Sequence, residues 1–308
     1  MFKGRGLWQE RPLWGPALFP PEPRADERTW MFFSMSRACK RKNNSTADRW
    51  APGGDIMVTS TIDGHEWESP TILLRHPRPG PAGGAPFVTA NSPVVTAEGD
   101  WVLPFWSEPP KGSVCQWRPD AGAAGVLISR DRGKTWTASQ QIKAHKTWLI
   151  EGSVIPFSDG ELLQLFRTTA GFIYESRSFD GGFTWTAPGS TGLPNPNSKV
   201  TAIVLSNGEV VVAYNAHNRT AAYGSSRALL FLATSSTRGR TWRDVAHLET
   251  GMAPGIRFHY PSLLQVGCKL LVSYSVGWKL GYRPTREESA LGHTGLKVQM
   301  IHLRLRQP

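Results

Sequence analysis

Short apolar runs separated by polar turns recur along most of the 308-residue chain. The runs at 151–156 and 161–168 are separated by an Asp-Gly turn, and those at 200–205 and 209–214 by an Asn-Gly turn. Such dipeptides between apolar runs are typical of two strands joined in a hairpin. No long stretch has the apolar spacing of a helix. The pattern therefore predicts a chain of short antiparallel strands.

A turn motif that we call the Asp-box occurs four times along the chain. Two copies, 129–136 and 178–185, match position for position, a third at 235–242 has Thr237 in place of aspartate, and a fourth at 61–67 is shortened. The intervals between the copies suit one four-stranded sheet per repeat. The residues that define the motif are the aspartates Asp63, Asp131 and Asp180 and the tryptophans Trp67, Trp136, Trp185 and Trp242.

The composition of the Asp-box indicates a structural role. Its aspartate accepts hydrogen bonds from backbone N–H groups of the turn, and its glycine adopts a positive φ. We expect each tryptophan to pack in the core between neighbouring sheets. Repeated sheets of this kind predict an all-β fold of the β-propeller type, in which each sheet is one blade.

The predicted blades follow from the boxes and the strand pattern. We expect a short N-terminal extension at 1–12 and a single propeller domain at 13–308. The last blade has no Asp-box and lacks an outer strand in this prediction. The five blades are placed at about 13–74, 91–142, 148–186, 198–248 and 258–305.

The Asp-boxes and three further segments resemble the sialidase (neuraminidase) superfamily, in particular its BNR-repeat-like members. The segments are Leu193-Pro194-Asn195-Pro196-Asn197-Ser198, Tyr214-Asn215-Ala216-His217 and Tyr260-Pro261-Ser262. The resemblance extends over nearly the whole chain from 14–19 onward. It implies a sialidase-type propeller from a six-bladed family, with about five blades in this chain. It also implies a site in which three arginines hold a substrate carboxylate, a Glu–Tyr pair supplies the nucleophile and an aspartate is the acid/base.

Part of that site can be placed on this sequence. The resemblance assigns Tyr260 as the nucleophile, Glu151 as its partner, and Arg167 and Arg227 as carboxylate-binding residues. Asn215 and His217 are further candidates for substrate binding. An arginine binds a carboxylate through two parallel hydrogen bonds. A tyrosine nucleophile also keeps negative charge away from an anionic substrate.

The first arginine and the acid/base aspartate have no counterpart in this sequence. In the family they belong to the first blade, and only about a dozen residues precede 14–19 here. We therefore expect an N-terminally truncated propeller.

Each candidate also has a structural interpretation. Glu151 and Arg167 are compatible with a buried ion pair, and Tyr260 with a core tyrosine. Arg227 and the two histidines His217 and His259 are compatible with ordinary loop residues. Trp106 and Trp117 suit either sugar stacking or the core, and Asn195 and Asn197 suit turns, with a sugar contact as the secondary alternative.

Three functions stay open on the sequence alone. The first is a sialidase-like glycoside hydrolase acting on terminal sialic acid or another acidic sugar. The second is a glycan-binding propeller that has lost its acid/base residue. The third is a different carbohydrate-active enzyme on the same fold, of the lyase or rhamnosidase type, because a fold does not determine a function.

The formal net charge of +11 indicates an anionic partner or simply a basic surface. The basic residues do not alternate with aromatic residues as in a nucleic-acid groove, so we expect no nucleic acid as partner. The resemblance to sialidases implies an anionic glycan as the partner. No apolar stretch reaches the length of a membrane span, and no signal peptide is visible. Apart from one cluster the basic residues are dispersed; the cluster is Arg37, Lys40, Arg41 and Lys42.

The three cysteines predict neither a disulfide framework nor a zinc site, because they are far apart and odd in number. They are Cys39, Cys115 and Cys268. The sequence contains no metal-ligand cluster, phosphate-binding loop or nucleotide fingerprint. We therefore expect no cofactor.

Overall fold

The computed structural model of the chain is nearly all β. It describes residues 11–20, 28–36, 40–41, 49–50, 53–76, 85–108, 122–217, 227–251, 253, 255–291 and 294–303. The chain divides into two compact units, Met1–Lys143 with Ile150–Gly152, and Ala144–Leu149 with Ser153–Pro308. Across the described ranges no helix is long and apolar enough to cross a membrane.

Within its described residues the first unit contains two antiparallel sheets and a short separate hairpin. The first sheet has the order β1-β2-β5-β6, from Leu13–Phe19, Thr29–Met35, Asp55–Thr61 and Thr71–Leu74, and the hairpin pairs β3 (Lys40–Arg41) with β4 (Arg49–Trp50). The second sheet has the order β11-β10-β9-β7, with β8 also paired to β9. Its strands, from β7 to β11, are Phe87–Val88, Val94–Val95, Trp101–Ser107, Ala124–Ser129 and Thr137–Ala138.

The described part of the second unit contains three sheets whose strands follow chain order. Ile150–Gly152 at the start of β12 are grouped with the first unit. The third sheet is β12 to β15, from Ile150–Pro156, Leu162–Arg167, Phe172–Ser178 and Gly189–Pro194. The fourth sheet is β16 to β19, from Thr201–Val204, Val210–Tyr214, Leu229–Ser235 and Arg243–Thr250. The fifth sheet is β20 to β22, from Ile256–Val266, Lys269–Trp278 and Gly295–His302, and the helix α1 (Arg286–Leu291) precedes its last strand.

These five sheets confirm the predicted fold class, a sialidase-type β-propeller with about five blades in this chain. The first blade has the predicted bounds, and the fifth contains three strands within the described residues. The predicted end of the third blade at 186 was wrong, because its outer strand β15 lies at Gly189–Pro194. Two glycines and a proline in that strand obscure the apolar pattern by which strands are predicted.

Neighbouring sheets within each unit share apolar cores. In the second unit, Leu163 and Leu165 of the third sheet pack with Val210 and Val212 of the fourth. The fourth and fifth sheets are joined in the same way by a cluster that includes Tyr274. In the first unit a third cluster combines side chains of the first and second sheets. Because one face of each strand is buried in these cores, the other face is the one available to the site.

The Asp-box turns contain the hydrogen bonds that their composition predicts. The Asp131 carboxylate accepts from the backbone N–H of Thr135 at 2.8 Å and from its hydroxyl at 2.6 Å. These bonds, led by that from the Thr135 hydroxyl, lower the pKa of Asp131 to about 2. In the third box Thr237 replaces the carboxylate, and its hydroxyl accepts from the Thr241 N–H at 2.8 Å. The turn is therefore retained without the charge.

The box tryptophans are half-buried. The Trp136 ring of the second sheet lies 5.6 Å from the ring of Phe32 in the first sheet, centroid to centroid, in an edge-to-face contact. Trp242 of the fourth sheet packs against the core shared with the third. Both contacts join neighbouring blades of one unit, as expected for tryptophans that pack in the core between blades.

Candidate active site

Tyr260 lies at an irregularity in strand β20. The register with β21 shifts between His259 and Ser262, and Tyr260 has a φ of 57°. Non-glycine residues seldom adopt this conformation, which persists only where the surroundings enforce it. The hydroxyl of Thr201 donates to the carbonyl of Pro261 at 2.7 Å and secures the segment. The Tyr260 side chain is thereby presented at the surface, and the residue is 43% exposed.

Arg227 is fixed directly beside Tyr260. The backbone N–H of Phe258 donates to the carbonyl of Arg227 at 2.8 Å, which ties the segment before β18 to β20. The guanidinium carbon of Arg227 lies 5.6 Å from the centre of the Tyr260 ring, within the range of a cation–π contact. Arg227 is almost fully buried. Its guanidinium is therefore held in one place.

Asn197 joins Arg227 to Arg167, which stands at the end of β13. Its side-chain Oδ1 accepts from Nε of Arg167 at 2.8 Å, and its backbone carbonyl accepts from Nη2 of Arg227 at 2.9 Å. Asn197 has a φ of 62°, which asparagine tolerates better than most residues. The two arginines thus converge on one turn residue between β15 and β16.

The turn that carries Asn197 is itself rigidly held. The Asn195 side chain donates to the carbonyl of Ser198 at 2.8 Å and accepts from its N–H at 3.2 Å. The backbone N–H of Asn195 donates to the carbonyl of Gly171 at 2.8 Å. Asn195 is fully buried, so its amide organises the turn from the inside.

Asn215 and His217 lie behind this group. Asn215 is fully buried, and its amide donates to the carbonyls of Leu229 and Phe258, each at 2.8 Å. Its Oδ1 accepts from the Ser198 hydroxyl at 2.6 Å. We therefore propose that Asn215 positions the strands that carry Arg227 and Tyr260, in place of the substrate contact predicted from the sequence. His217 is also buried, and burial lowers its pKa.

Glu151 belongs to the first unit, whereas Arg167, Arg227 and Tyr260 belong to the second. Its backbone has a φ of 52°, so that Glu151, like Tyr260 and Asn197, is a non-glycine residue in the left-handed region. The Asn91 side chain donates to the carbonyls of Glu151 and Gly152 at 3.0 and 2.9 Å. These bonds hold the strained peptide, and Glu151 is buried.

Positive charge dominates the surroundings of Tyr260. Burial and then the charges of Arg227, Arg257 and Arg167 lower the pKa of His259 to about 4. Burial and then Arg167 lower the pKa of Arg227, and contact with Tyr260 acts in the opposite direction. The His259 and Tyr260 rings are 4.9 Å apart, centroid to centroid. The guanidiniums of Arg167 and Arg227, which both bond to Asn197, favour an anion with two oxygens, such as a carboxylate.

The low pKa of His259 predicts a pH-dependent stability. In the unfolded chain the imidazole binds a proton near pH 6.5, whereas in the folded chain it does so only near pH 4. Stability from this residue is full above pH 6.5 and falls as the pH is lowered towards 4. In denaturant unfolding, the free energy of unfolding falls as the pH is lowered from 6.5 to 4. We expect this fall to be about 1–2 kcal/mol smaller for His259→Gln than for the unchanged chain, after allowance for partial exposure. An unchanged pH slope would contradict the assignment.

The remaining candidates lie elsewhere. Trp106 is almost fully buried, and its indole N–H donates to Glu108 at 2.9 Å, so it serves the core and not sugar stacking. Cys268 is exposed, and Lys40 and Arg41 form strand β3. In the part of the chain that the structure describes, no three metal-ligating side chains form a group. The predicted residues Trp117, Arg37, Lys42, Cys39 and Cys115 lie outside the described residues.

Arg257 is not among the residues that the sequence predicts for the site, whereas Asn197 and His259 are candidates with a structural alternative. Its sequence context predicts that Asn197 is a turn residue, with a sugar contact as the alternative, and its bonds to Arg167 and Arg227 were not predicted. Arg257 and His259 stand three positions and one position before Tyr260, and their alternation with buried Ile256 and Phe258 was the available signal.

The comparisons with known proteins agree with this fold. A family model described as a BNR repeat-like domain matches residues 7–271. A protein of unknown function from Dyadobacter fermentans superposes with a TM-score of 0.67 at 17% identity, over 94% of this chain and 76% of that one. The intramolecular trans-sialidase from Ruminococcus gnavus gives a TM-score of 0.64 at 14% identity, over 96% and 79%.

The sialidase NanB from Streptococcus pneumoniae is a third structural relative. It superposes with a TM-score of 0.61 at 13% identity, and the match covers 85% of this chain but only 52% of NanB. None of the curated protein sequences compared with the chain matches it significantly. Identities this low establish a shared fold.

Proposed function

The chain belongs to the BNR repeat-like domain family, and on this premise we propose that it is a sialidase-like glycoside hydrolase acting on a terminal sugar that bears a carboxylate. One observation carries the proposal. Arg167 and Arg227 are both hydrogen-bonded to Asn197, and the ring of Tyr260 contacts Arg227. A carboxylate bound by the two guanidiniums brings the sugar's anomeric centre towards the Tyr260 hydroxyl. The solved trans-sialidase from Ruminococcus gnavus is in complex with a carboxylate ligand, oseltamivir carboxylate.

In the proposed reaction the Tyr260 oxygen attacks the anomeric carbon. The bond to the leaving group breaks, and a sugar joined to the tyrosine oxygen results, which water then hydrolyses. Two displacements at one carbon give net retention of configuration. A phenol is a weak nucleophile until a base takes its proton, and the resemblance to sialidases assigns that base to Glu151. Tyrosine suits this site because a carboxylate nucleophile would repel the anionic substrate.

The direct test is turnover of a fluorogenic aryl α-sialoside by the purified chain. The proposal expects release of the fluorophore, with NMR showing the α-anomer of the free sugar as first product. An aryl leaving group needs little protonation, so the assay does not depend on an acid catalyst. Release of the β-anomer would exclude a tyrosyl intermediate, and activity confined to uncharged sugars would exclude the proposal altogether.

A non-catalytic glycan-binding protein is the second candidate. It is favoured by the charges that shift the pKa of His259, all of which are arginines. Such surroundings bind an anion without supplying a carboxylic acid to protonate a leaving group. Binding of sialylated glycans on an array, together with no turnover of the aryl sialoside, would select this candidate.

The turn residue Asn197 offers a test of how the arginines are positioned. Asn197→Gly keeps the positive φ and the carbonyl that accepts from Arg227, but removes the Oδ1 that accepts from Arg167. We expect KM for the aryl sialoside to rise about three- to tenfold, as one hydrogen bond to a charged group is lost, with kcat little changed.

Asn197→Asp is the matched variant. Its carboxylate keeps both bonds but competes with the substrate for the arginines, so KM should rise further than in the glycine variant. Equal KM values for both variants and the unchanged chain would show that Asn197 has no part in carboxylate binding.

A further inference from the structure

One side of strand β20 carries polar residues next to the proposed carboxylate site. Ile256 and Phe258 are buried in the core shared with the fourth sheet. Arg257 and His259, which alternate with them along the strand, are only partly buried. Side chains alternate between the two faces of a strand. Arg257 and His259 therefore share the face that is turned away from this core.

The neighbouring strand leaves room on that face. Arg257 pairs with Gly277 and His259 with Ser275, so the residues opposite them are small. A Cβ atom added to Gly277 would have no atom within 4 Å. Directly opposed residues of antiparallel strands project to the same face. The Arg257 side chain thus stands beside the open space at Gly277.

Arg257 adds a third positive charge near Arg167 and Arg227, which already repel each other. It lowers the pKa values of Arg227 and His259, although less than burial does. Among the described residues Arg257 forms no salt bridge. Partly buried like charges are costly unless an anion accompanies them. Arg167 and Arg227 share Asn197, whereas Arg257 is held on another strand.

We propose that Arg257, with the open space at Gly277, binds a second anionic group of the glycan, next to the carboxylate held by Arg167 and Arg227. The inference rests on the proposed function and names its substrate class as sugars with two adjacent anionic groups. The second group is either the carboxylate of the next acidic sugar or a sulfate ester, since both present two or three oxygens to a guanidinium.

Calorimetric binding at constant ionic strength tests the inference. The probes are methyl α-sialoside, a non-hydrolysable S-linked disialoside, and a sulfated methyl α-sialoside. A disialoside whose second carboxylate is converted to the amide controls for size. The second anion should tighten binding about tenfold over its uncharged control. Whether the disialoside or the sulfated sugar shows the gain identifies the source of the second anion.

Two variants distinguish the contribution of the Arg257 charge from that of the open space at Gly277. Arg257→Gln should abolish the tenfold gain and leave binding of methyl α-sialoside within about twofold, whereas Arg257→Lys should keep part of the gain. Gly277→Val fills the open space without touching a charge, and the gain should fall while methyl α-sialoside still binds.

The outcomes distinguish this inference from the function on which it rests. If methyl α-sialoside binds but neither second anion improves affinity, or the gain survives in Arg257→Gln, the inference is wrong and the proposed function stands. A gain that survives in Gly277→Val would also overturn it. If no sialoside binds at all, both proposals fail together.

Discussion

Replacing Tyr260 with phenylalanine should reduce turnover of an aryl sialoside by roughly a thousandfold or more, because the nucleophilic oxygen is lost. The ring remains, and with it the contact to Arg227 at 5.6 Å. Binding of sialic acid should therefore change by no more than a few-fold. The expected signature is a collapse of kcat with a nearly unchanged dissociation constant.

The Tyr260→Phe variant should fold normally. Tyr260 is 43% exposed, so removing its hydroxyl leaves no buried cavity. Tyr174→Phe in strand β14 is the matched control, since it makes the same chemical change in a residue of the third sheet, and it should keep full turnover. Turnover by Tyr260→Phe equal to that of the control would remove Tyr260 from the mechanism.

Replacing Arg227 with lysine should weaken binding of sialic acid by about 10- to 100-fold, although the formal charge is kept. A lysine ammonium cannot form two parallel hydrogen bonds to a carboxylate. It also cannot reproduce the bond from Nη2 of Arg227 to the Asn197 carbonyl at 2.9 Å. Calorimetric titration of sialic acid into the variant measures the loss directly.

The same exchange on the surface provides the control. Arg243 at the start of β19 is exposed, and Arg243→Lys should bind sialic acid as the unchanged chain does. If Arg227→Lys also binds normally, the site needs only a positive charge, and the paired geometry at Asn197 is irrelevant. Because Arg227 is buried, thermal unfolding of both variants should also be measured, to show that each is folded.

The blade architecture was predictable because each Asp-box is a local device. Asp131 bonds to Thr135 only four residues away, so a short stretch of sequence contains the whole interaction. Repetition of that stretch at blade-length intervals then predicts the sheets. Strand β15 escaped prediction because its glycines and proline lack the apolar alternation on which strand prediction depends.

The site could be predicted only at positions whose residue types match those of the sialidase superfamily. Arg227 and Tyr260 were placed in this way, and the structure sets them side by side. The bonds of Asn197 join residues 30 positions apart in each direction, and no local pattern contains such pairs. The side-chain amide of Asn215 likewise donates to the carbonyl of Phe258, 43 residues further along the chain. Positions of this kind follow from the packing of sheets and not from neighbouring residues.

Titration with methyl α-sialoside and with its carboxyl methyl ester most directly tests whether the arginines recognise an acid group. The two sugars differ only in the negative charge that Arg167 and Arg227 are proposed to bind. The account predicts that the acid binds at least about tenfold tighter than the ester, and that Arg227→Lys erases most of the difference. Equal affinities for acid and ester would contradict it.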